Sequence, residues 1–303
     1  MTRVAAIDCG TNSVRLLIAD VSGGQLTDVV RELEVVRLGE GVDRTGVLAS
    51  AALERTRVAL RRYAARIAEA GVAAVRMVAT SATRDAGNRD EFTAMVRSEL
   101  GVDPEVVSGE TEARLSFEGA ASVQGERSGP LLVADIGGGS TELVTDADGG
   151  LRAHSMQIGC VRLTERHLHD DPPTGAQVAA VEADVRTALT AARRDVPLDT
   201  GAMLVGVAGT VTTVAGVALG LERYDSAAIH GSWLPADQVE SVTARLLELP
   251  RDDRAALGVM HPGRVDVISA GALVLRTLVR ESQAPGVLVS EHDILDGIAL
   301  SLA

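Results

Sequence analysis

Leu131-Leu132-Val133-Ala134-Asp135-Ile136-Gly137-Gly138-Gly139-Ser140-Thr141-Glu142-Leu143-Val144 is an apolar run that stops at an aspartate, passes through a glycine-rich turn and resumes as a second apolar run. Two short apolar runs around such a turn read as a β-hairpin. The same figure stands 127 residues earlier: Val4-Ala5-Ala6-Ile7-Asp8, then Cys9-Gly10-Thr11-Asn12-Ser13, then Val14-Arg15-Leu16-Leu17-Ile18. Asp8 matches Asp135, Gly10 matches Gly137, Ser13 matches Ser140 and Leu16 matches Leu143, without a gap. Similarity at this spacing is too long for a solenoid repeat and signals a duplication. Two related domains are expected, each offering one loop to a shared cleft.

Between the hairpins the pattern alternates strand and helix. Leu53, Thr56, Leu60, Ala64 and Ile67 recur every three to four residues between Ser50 and Gly71, which predicts a helix closed by a glycine. Val75–Ala79 predicts a strand, Thr80–Asn88 a polar loop, Glu91–Leu100 a helix and Val106 a short strand. Ser108 is placed to cap a helix containing Glu110, Glu112, Ala113 and Phe117, and Gln124–Gly129 is a linker candidate. The second half predicts strands near 131–135, 141–146 and 151–157, helices near 175–194 and 236–248, and a third Gly/Thr-rich loop, Gly206–Thr213, whose Gly209-Thr210 equally suits a helix start. Sheets with crossover helices in both halves make this an α/β protein.

The composition narrows the chemistry. The chain has 303 residues, 46% of them hydrophobic, enough for about two domains of roughly 100–200 residues each. No stretch approaches the roughly 18–20 apolar residues of a membrane span, and Met1-Thr2-Arg3 does not open a signal peptide. A cytoplasmic protein with no membrane partner is expected. Acidic residues outnumber basic ones 42 to 29, for a net charge of −13, and all 29 basic residues are arginine. The absence of lysine removes Schiff-base catalysis and the phosphate loop ending in Gly-Lys-Ser/Thr. A phosphate site here must use arginine, backbone N–H groups and a metal. The acidic balance and five aromatic residues (Tyr63, Phe92, Phe117, Tyr224 and Trp233) argue against nucleic acid as a partner. Cys9 and Cys160 read as buried packing thiols, and His167, His169, Asp170 and Asp171 as a surface loop whose spacing fits no common zinc pattern.

A strand ending in Asp-x-Gly-x-x-Ser suits phosphate, because glycine lets backbone N–H groups turn toward a ligand and the hydroxyls add donors. Asp8-x-Gly-Thr-Asn-Ser, Asp135-Ile-Gly-Gly-Gly-Ser and Gly206-x-Ala-Gly-Thr resemble the phosphate loops of the superfamily of acetate and sugar kinases, heat-shock chaperone ATPases and actin. Within that superfamily the chain is similar to the exopolyphosphatase and guanosine pentaphosphate phosphohydrolase family. The further matches are Ala79–Arg84, Ser108–Leu115, Gly159-Cys160-Val161, and Asp266-Val267-Ile268 followed by Gly271. Together they run from Ala6 to about Gly297 in the family's order.

The resemblance implies two ribonuclease-H-like domains flanking a cleft: the first over 1–118, with a final helix in 292–303 packing back on it, and the second over 119–291. It implies inorganic polyphosphate or guanosine pentaphosphate as substrate, Mg²⁺ as cofactor and a homodimer. Longer family members carry further C-terminal domains, so a chain corresponding to the two-domain core alone points to short polyphosphate.

Helical geometry puts Glu110 and Glu112 about 200° apart, so only one can face a site, and spacing does not choose between them. The family motif selects Glu112 as catalytic base and matches Glu142 to a glutamate associated with metal and water. The position duplicating Glu142 in the first domain is Arg15, a reversal of charge expected if one half carries chemistry and the other holds substrate. Asp8, Asp135 and Glu142 are the candidate Mg²⁺ ligands. Thr11, Asn12, Ser13, Arg84, Gly137, Gly138, Gly139, Ser140, Gly209 and Thr210 are the candidate substrate contacts. A guanosine pentaphosphate phosphohydrolase and a non-hydrolysing polyphosphate sensor are the alternatives to an exopolyphosphatase.

Overall fold

The structure is a computed structural model, and it describes residues 1–124, 129–147 and 149–302. In chain order the first elements are β1 (Thr2–Cys9), β2 (Ser13–Ser22), β3 (Gln25–Val35), α1 (Val42–Thr45), α2 (Ser50–Ala70), β4 (Ala74–Ala79), α3 (Ser81–Asp85), α4 (Arg89–Leu100), β5 (Glu105–Val106) and α5 (Gly109–Ala120). There follow β6 (Leu131–Ile136), β7 (Thr141–Thr145), β8 (Arg152–Met156), α6 (Cys160–His167), α7 (Gly175–Ala192), β9 (Met203–Val207), α8 (Ala208–Ala218) and α9 (Ser226–Ile229). The last are β10 (Trp233–Pro235), α10 (Ala236–Glu248), α11 (Arg251–Ala255), α12 (Ile268–Ser282), β11 (Gly286–Val289) and α13 (Ile294–Leu300). The linker expected at Gln124–Gly129 lies, over 125–128, outside the described residues.

The chain divides into two compact units: Met1–Gly119 with Asp293–Ala303, and Ala120–His292. The first holds a five-stranded sheet of order β3-β2-β1-β4-β5. Its β1, β2 and β3 are antiparallel neighbours, whereas β4 and β5 continue from β1 in parallel. The second unit holds the order β10-β11-β9-β6-β7-β8. Here β6, β7 and β8 are antiparallel, β9 and β11 continue in parallel, and β10 closes the edge. Five strands of the second sheet thus repeat the order and direction of the first, which is the duplication announced by the two hairpins.

Alternation along β1 explains why it sits at the centre, since successive side chains point to opposite faces. Ala5, Ile7 and Cys9 join the core that includes Leu60 and Tyr63 of α2 and Phe92 and Val96 of α4. Val4 and Ala6 join the opposite core, with Leu115 of α5 and Ile294, Leu295 and Ile298 of α13. Asp8 continues this second register, so its carboxylate stands on the α13 face. In the second unit Leu132, Ala134 and Ile136 of β6 pack against the core that includes Val211 and Val214 of α8 and Leu273 of α12. Asp135 stands on the other face of β6.

Among the elements that the sequence reading does not give, three show why. β3 follows β2 directly but is an edge strand, and its charged Asp28, Arg31, Glu32 and Glu34 mask the period-2 signal. α12 is buried over most of its length, so it lacks the polar face that makes a helix conspicuous. Within the polar stretch 80–88, Ser81–Asp85 forms a helical turn.

α13 crosses α5 at backbone contact. A Cβ on Gly297 would lie 2.0 Å from the Leu115 carbonyl oxygen, and one on Gly119 would lie 1.9 Å from the Asp293 carbonyl oxygen. Backbone cannot yield as a flexible side chain can, so any larger residue must push the helices apart. Gly297→Ala is expected to destabilise the protein by about 1–3 kcal/mol, read as a fall in the urea midpoint. Gly150→Ala, where a Cβ meets nothing within 4 Å, should stay within about 0.5 kcal/mol of the wild type.

Candidate active site

The turn between β1 and β2 is shaped by what its carbonyls bind. The Gly10 N–H donates to the Ser13 carbonyl at 2.9 Å, closing the turn. The Thr11 carbonyl accepts from Gly39 N–H at 2.8 Å, and the Asn12 carbonyl from Val36 and Arg37 N–H at 3.0 and 2.8 Å. In a trans peptide the N–H points opposite to the C=O, so the N–H groups of Asn12 and Ser13 face away from the 36–39 segment. The Thr11 and Ser81 hydroxyls hydrogen-bond at 2.8 Å, joining this loop to the start of α3.

The structure settles which acidic residue of α5 faces inward. Ser108 Oγ accepts from Thr111 N–H at 3.2 Å at the start of the helix. Glu112 is 7% exposed; Glu110 is exposed and pairs along the helix with Arg114. Arg84 donates from Nη1 to Glu112 Oε2 at 2.9 Å and to the Val107 carbonyl at 3.0 Å, which orients the Glu112 carboxylate. Five buried side-chain polar atoms among the described residues have no hydrogen-bond partner, and three are Asp8 Oδ1, Thr83 Oγ1 and Arg84 Nη2. Buried polar atoms without a protein partner are where a bound ion, oxyanion or water completes the bonding. Their concentration around the first loop makes it the candidate ligand site of this unit.

The strand-end carboxylates sit in matching registers with opposite consequences. Asp8 lies across from Arg15, whose Nε and Nη2 donate to Asp8 Oδ2 at 3.0 and 2.7 Å. Nη1 of Arg15 donates to Asp293 Oδ2. Burial pushes the Asp8 carboxyl above its usual range, and the Arg15 guanidinium pulls against it. In the second unit the same register pairs Asp135 with Glu142, 7% and 1% exposed. Two carboxylates directly opposite each other repel unless a cation lies between them. Ser155 Oγ donates to Glu142 Oε1 at 2.6 Å. Among the described residues no group of three or more His, Cys, Asp or Glu is arranged to hold a metal. As a donor set of two carboxylates, the Asp135–Glu142 pair fits a hard cation that keeps most of its water, which is the habit of Mg²⁺.

The Gly137–Ser140 turn is built by α6. The Gly137 carbonyl accepts from Cys160 N–H at 3.0 Å, and the Gly138 carbonyl from Val161 and Arg162 N–H at 2.9 and 3.2 Å. The Gly139 carbonyl accepts from Arg162 Nε at 2.7 Å. With three consecutive carbonyls turned to α6, the N–H groups of Gly138, Gly139 and Ser140 turn together to the opposite side, forming an anion nest. The third motif opens a helix, one of the two readings that Gly209-Thr210 allows: α8 begins at Ala208, so Gly209 and Thr210 lie in a first helical turn. Ala208 enters it at φ 68°, the left-handed region that costs a non-glycine residue strain.

Over this turn lies Arg264, which the sequence reading passed over. A Cβ on Gly209 would sit 2.4 Å from Arg264 Cζ, so only glycine lets the guanidinium rest on the helix start; Arg264 Nη1 donates to Thr213 Oγ1 at 3.1 Å. A Cβ on Gly271 would sit 2.6 Å from Thr210 Oγ1 and 3.2 Å from Cys160 Cβ, so α12 brings the starts of α6 and α8 together. Arg264 stands two residues before Asp266 in an identified motif, and that proximity was the available signal.

The remaining candidates fall away from the site. Burial raises both thiols, that of Cys160 to about 11, so neither is an activated nucleophile. His167 ends α6 rather than sitting in a loop and bonds Asp184 at 2.8 Å, while Asp171 accepts from Arg254 at 2.6 Å.

A family model described as the Ppx/GppA phosphatase family matches residues 17–303. The chain is 51% identical to "Exopolyphosphatase 2" of Mycobacterium tuberculosis, over 100% of this chain and 99% of that protein. The crystal structure of the Aquifex aeolicus Ppx/GppA family member is 31% identical, covers 99% of this chain and 97% of that one, and superposes with a TM-score of 0.82. An exopolyphosphatase structure from Cytophaga hutchinsonii, at 24% identity and a TM-score of 0.90 over 99% of this chain and 97% of that one, shares the fold. With a full-length relative at this identity and a family match over nearly the whole chain, the protein belongs to the Ppx/GppA phosphatase family.

Proposed function

We propose that the chain is an Mg²⁺-dependent exopolyphosphatase that releases orthophosphate from the end of short inorganic polyphosphate chains. The observation that carries the reading is Glu112, an inward-facing carboxylate on α5 held by Arg84 in the unit that also bears the unpartnered Asp8 Oδ1, Thr83 Oγ1 and Arg84 Nη2. Hydrolysis of a phosphoanhydride asks for an oriented water and for charge neutralisation, with little covalent chemistry from the protein. Glu112 takes a proton from water, the hydroxide oxygen bonds the terminal phosphorus, and the bond to the bridging oxygen breaks, leaving orthophosphate and a chain shorter by one unit. Backbone N–H groups at Asn12, Ser13, Gly138, Gly139 and Ser140 receive phosphate oxygens, joined by the side chains of Thr11, Arg84 and Thr210, with Gly209 at the start of α8. Asp135 and Glu142 would hold Mg²⁺ between them, with Asp8 Oδ1 as a further oxygen donor in the first unit. The cation supplies charge neutralisation at the phosphoryl group.

The 51% identity to a protein named an exopolyphosphatase supports the substrate class. Cytoplasmic location, homodimerisation and the absence of nucleic-acid or membrane partners belong to the same reading, supported by the surplus of acidic residues, the family resemblance and the lack of any described helix long and apolar enough to cross a membrane. Guanosine pentaphosphate, the family's other substrate, is the competing outcome of the test.

Orthophosphate release from short polyphosphate, long polyphosphate and guanosine pentaphosphate, assayed in parallel with Mg²⁺, checks the assignment. Release from polyphosphate is expected, fastest from short chains. Release from the nucleotide alone would transfer the reading to the pentaphosphate, and release from none would leave a sensor. Glu112→Gln is expected to lower kcat by about 10²–10⁴-fold, with an unchanged circular dichroism spectrum. Glu142→Gln should raise the Mg²⁺ concentration needed for half-maximal rate by at least about tenfold; a metal titration that superposes on the wild type would remove Glu142 from the metal site.

A further inference from the structure

The segment entering α13 reaches the first loop through one arginine. Asp293 caps α13, its Oδ1 accepting the Leu295 N–H at 3.0 Å, while its Oδ2 accepts from Arg15 Nη1. The other edge of the Arg15 guanidinium grips Asp8 Oδ2 with Nε and Nη2. Asp293 is 2% exposed and Asp8 4%, so solvent does little to loosen either contact. Two donors on one oxygen fix the plane of the Asp8 carboxylate and leave Oδ1, which has no hydrogen-bond partner, in a set direction. Behind Asp293, Ile294, Leu295 and Ile298 pack on Val4, Ala6 and Leu17, the face of the sheet that also carries Asp8 and Arg15. A second bridge leaves the same helix one turn on. Arg31 of β3 donates to Asp296 at 2.5 Å and also to Asp28, but not to Asp8.

We propose that Arg15 and Asp293 are positioning residues for the reaction: through them the C-terminal helix holds the Asp8 carboxylate in its working orientation. This rests on the exopolyphosphatase reading. The packing of α13 sets Asp293, Asp293 sets one edge of a planar guanidinium, and the opposite edge sets Asp8. A lysine could not serve, because a point charge does not fix two carboxylates in one plane. Arg31–Asp296 anchors the same helix without touching the loop and supplies an internal comparison.

Asn caps helices about as well as Asp, so Asp293→Asn removes the charge that grips Arg15 while keeping the cap. It is expected to lower kcat by about 10–100-fold, to leave KM within about twofold and to shift the thermal midpoint only slightly. Arg15→Lys should act in the same direction, and the double variant should be no worse than the more damaging single one, as for residues that act as a unit. Asp296→Asn, which weakens the Arg31 anchor while keeping a side-chain oxygen to accept the Asp293 N–H that Asp296 Oδ2 accepts at 3.0 Å, is expected to keep wild-type kcat well below its midpoint. Hydrogen exchange at Arg15 Nε, followed by nitrogen-15 spectroscopy and assigned with Arg15→Lys, reads the link without reference to activity. Exchange should speed up in Asp293→Asn and not in Asp296→Asn. Wild-type kcat in Asp293→Asn, equal kcat losses in both aspartate variants, or unaltered Arg15 exchange would each overturn the proposal. A wild-type protein that releases no phosphate would instead overturn the functional reading, and the exchange measurement would still decide the link.

Discussion

A peptide group cannot offer its N–H and its C=O to the same side, and both glycine turns, Gly10–Ser13 and Gly137–Ser140, depend on that constraint. In each, neighbouring backbone engages successive carbonyls: the 36–39 segment takes those of Thr11 and Asn12, and the first turn of α6 with Arg162 takes those of Gly137, Gly138 and Gly139. The N–H groups are left facing the other way without any side chain having to aim them. This explains why a glycine turn alone is weak evidence for phosphate binding. What converts a turn into a nest is the set of donors behind it, and in the second unit those donors come from residues 160–162, some twenty positions further along the chain.

The duplication supplied two copies of one frame, and the copies were then charged differently. The strand-end aspartate and the residue opposite it keep their register in both units, but Arg15 faces Asp8 where Glu142 faces Asp135. The first pair is already an ion pair through Asp8 Oδ2, and only Oδ1 of that carboxylate has no hydrogen-bond partner. The second places two acidic residues side by side at low exposure, one of them accepting from Ser155 Oγ. One substitution class on one strand position thus separates a turn whose aspartate faces an arginine from one whose aspartate faces a second acid.

How far this was legible in the sequence depends on which atoms carry the information. Strands and helices that bury a periodic face, such as β1, β6 and α2, are written in the order of apolar residues, and the equal spacing of the two Asp-x-Gly turns gives the duplication directly. The edge strand β3 and the helix α12 are not, because one is charged along its length and the other buries polar residues such as Arg276 and Thr277 along with its apolar ones. For the site, spacing placed Glu110 and Glu112 on different faces of α5 but could not say which turned inward. That depends on Arg84, which meets Glu112 across 28 positions of sequence. Arg264 was hidden for the same reason: its guanidinium rests on Gly209, 55 positions away in sequence, and no local pattern records such a contact.

The lysine-free composition is consistent with the way these contacts are made. At several points of the two half-sites one cation has to satisfy two partners at fixed angles: Arg15 between Asp8 and Asp293, Arg84 between Glu112 and the Val107 carbonyl, Arg264 over Gly209 and on Thr213. A planar fork that stays protonated can do this at low exposure, whereas an ammonium group loses its proton more readily when buried and has no fixed geometry to impart. A protein with a net charge of −13 that handles a polyanion cannot rely on a broad basic surface. It has to concentrate donors locally, as backbone nests and a few arginines locked by their own carboxylates. Each lock uses up guanidinium hydrogens, and at Arg84 one nitrogen, Nη2, is buried with no hydrogen-bond partner.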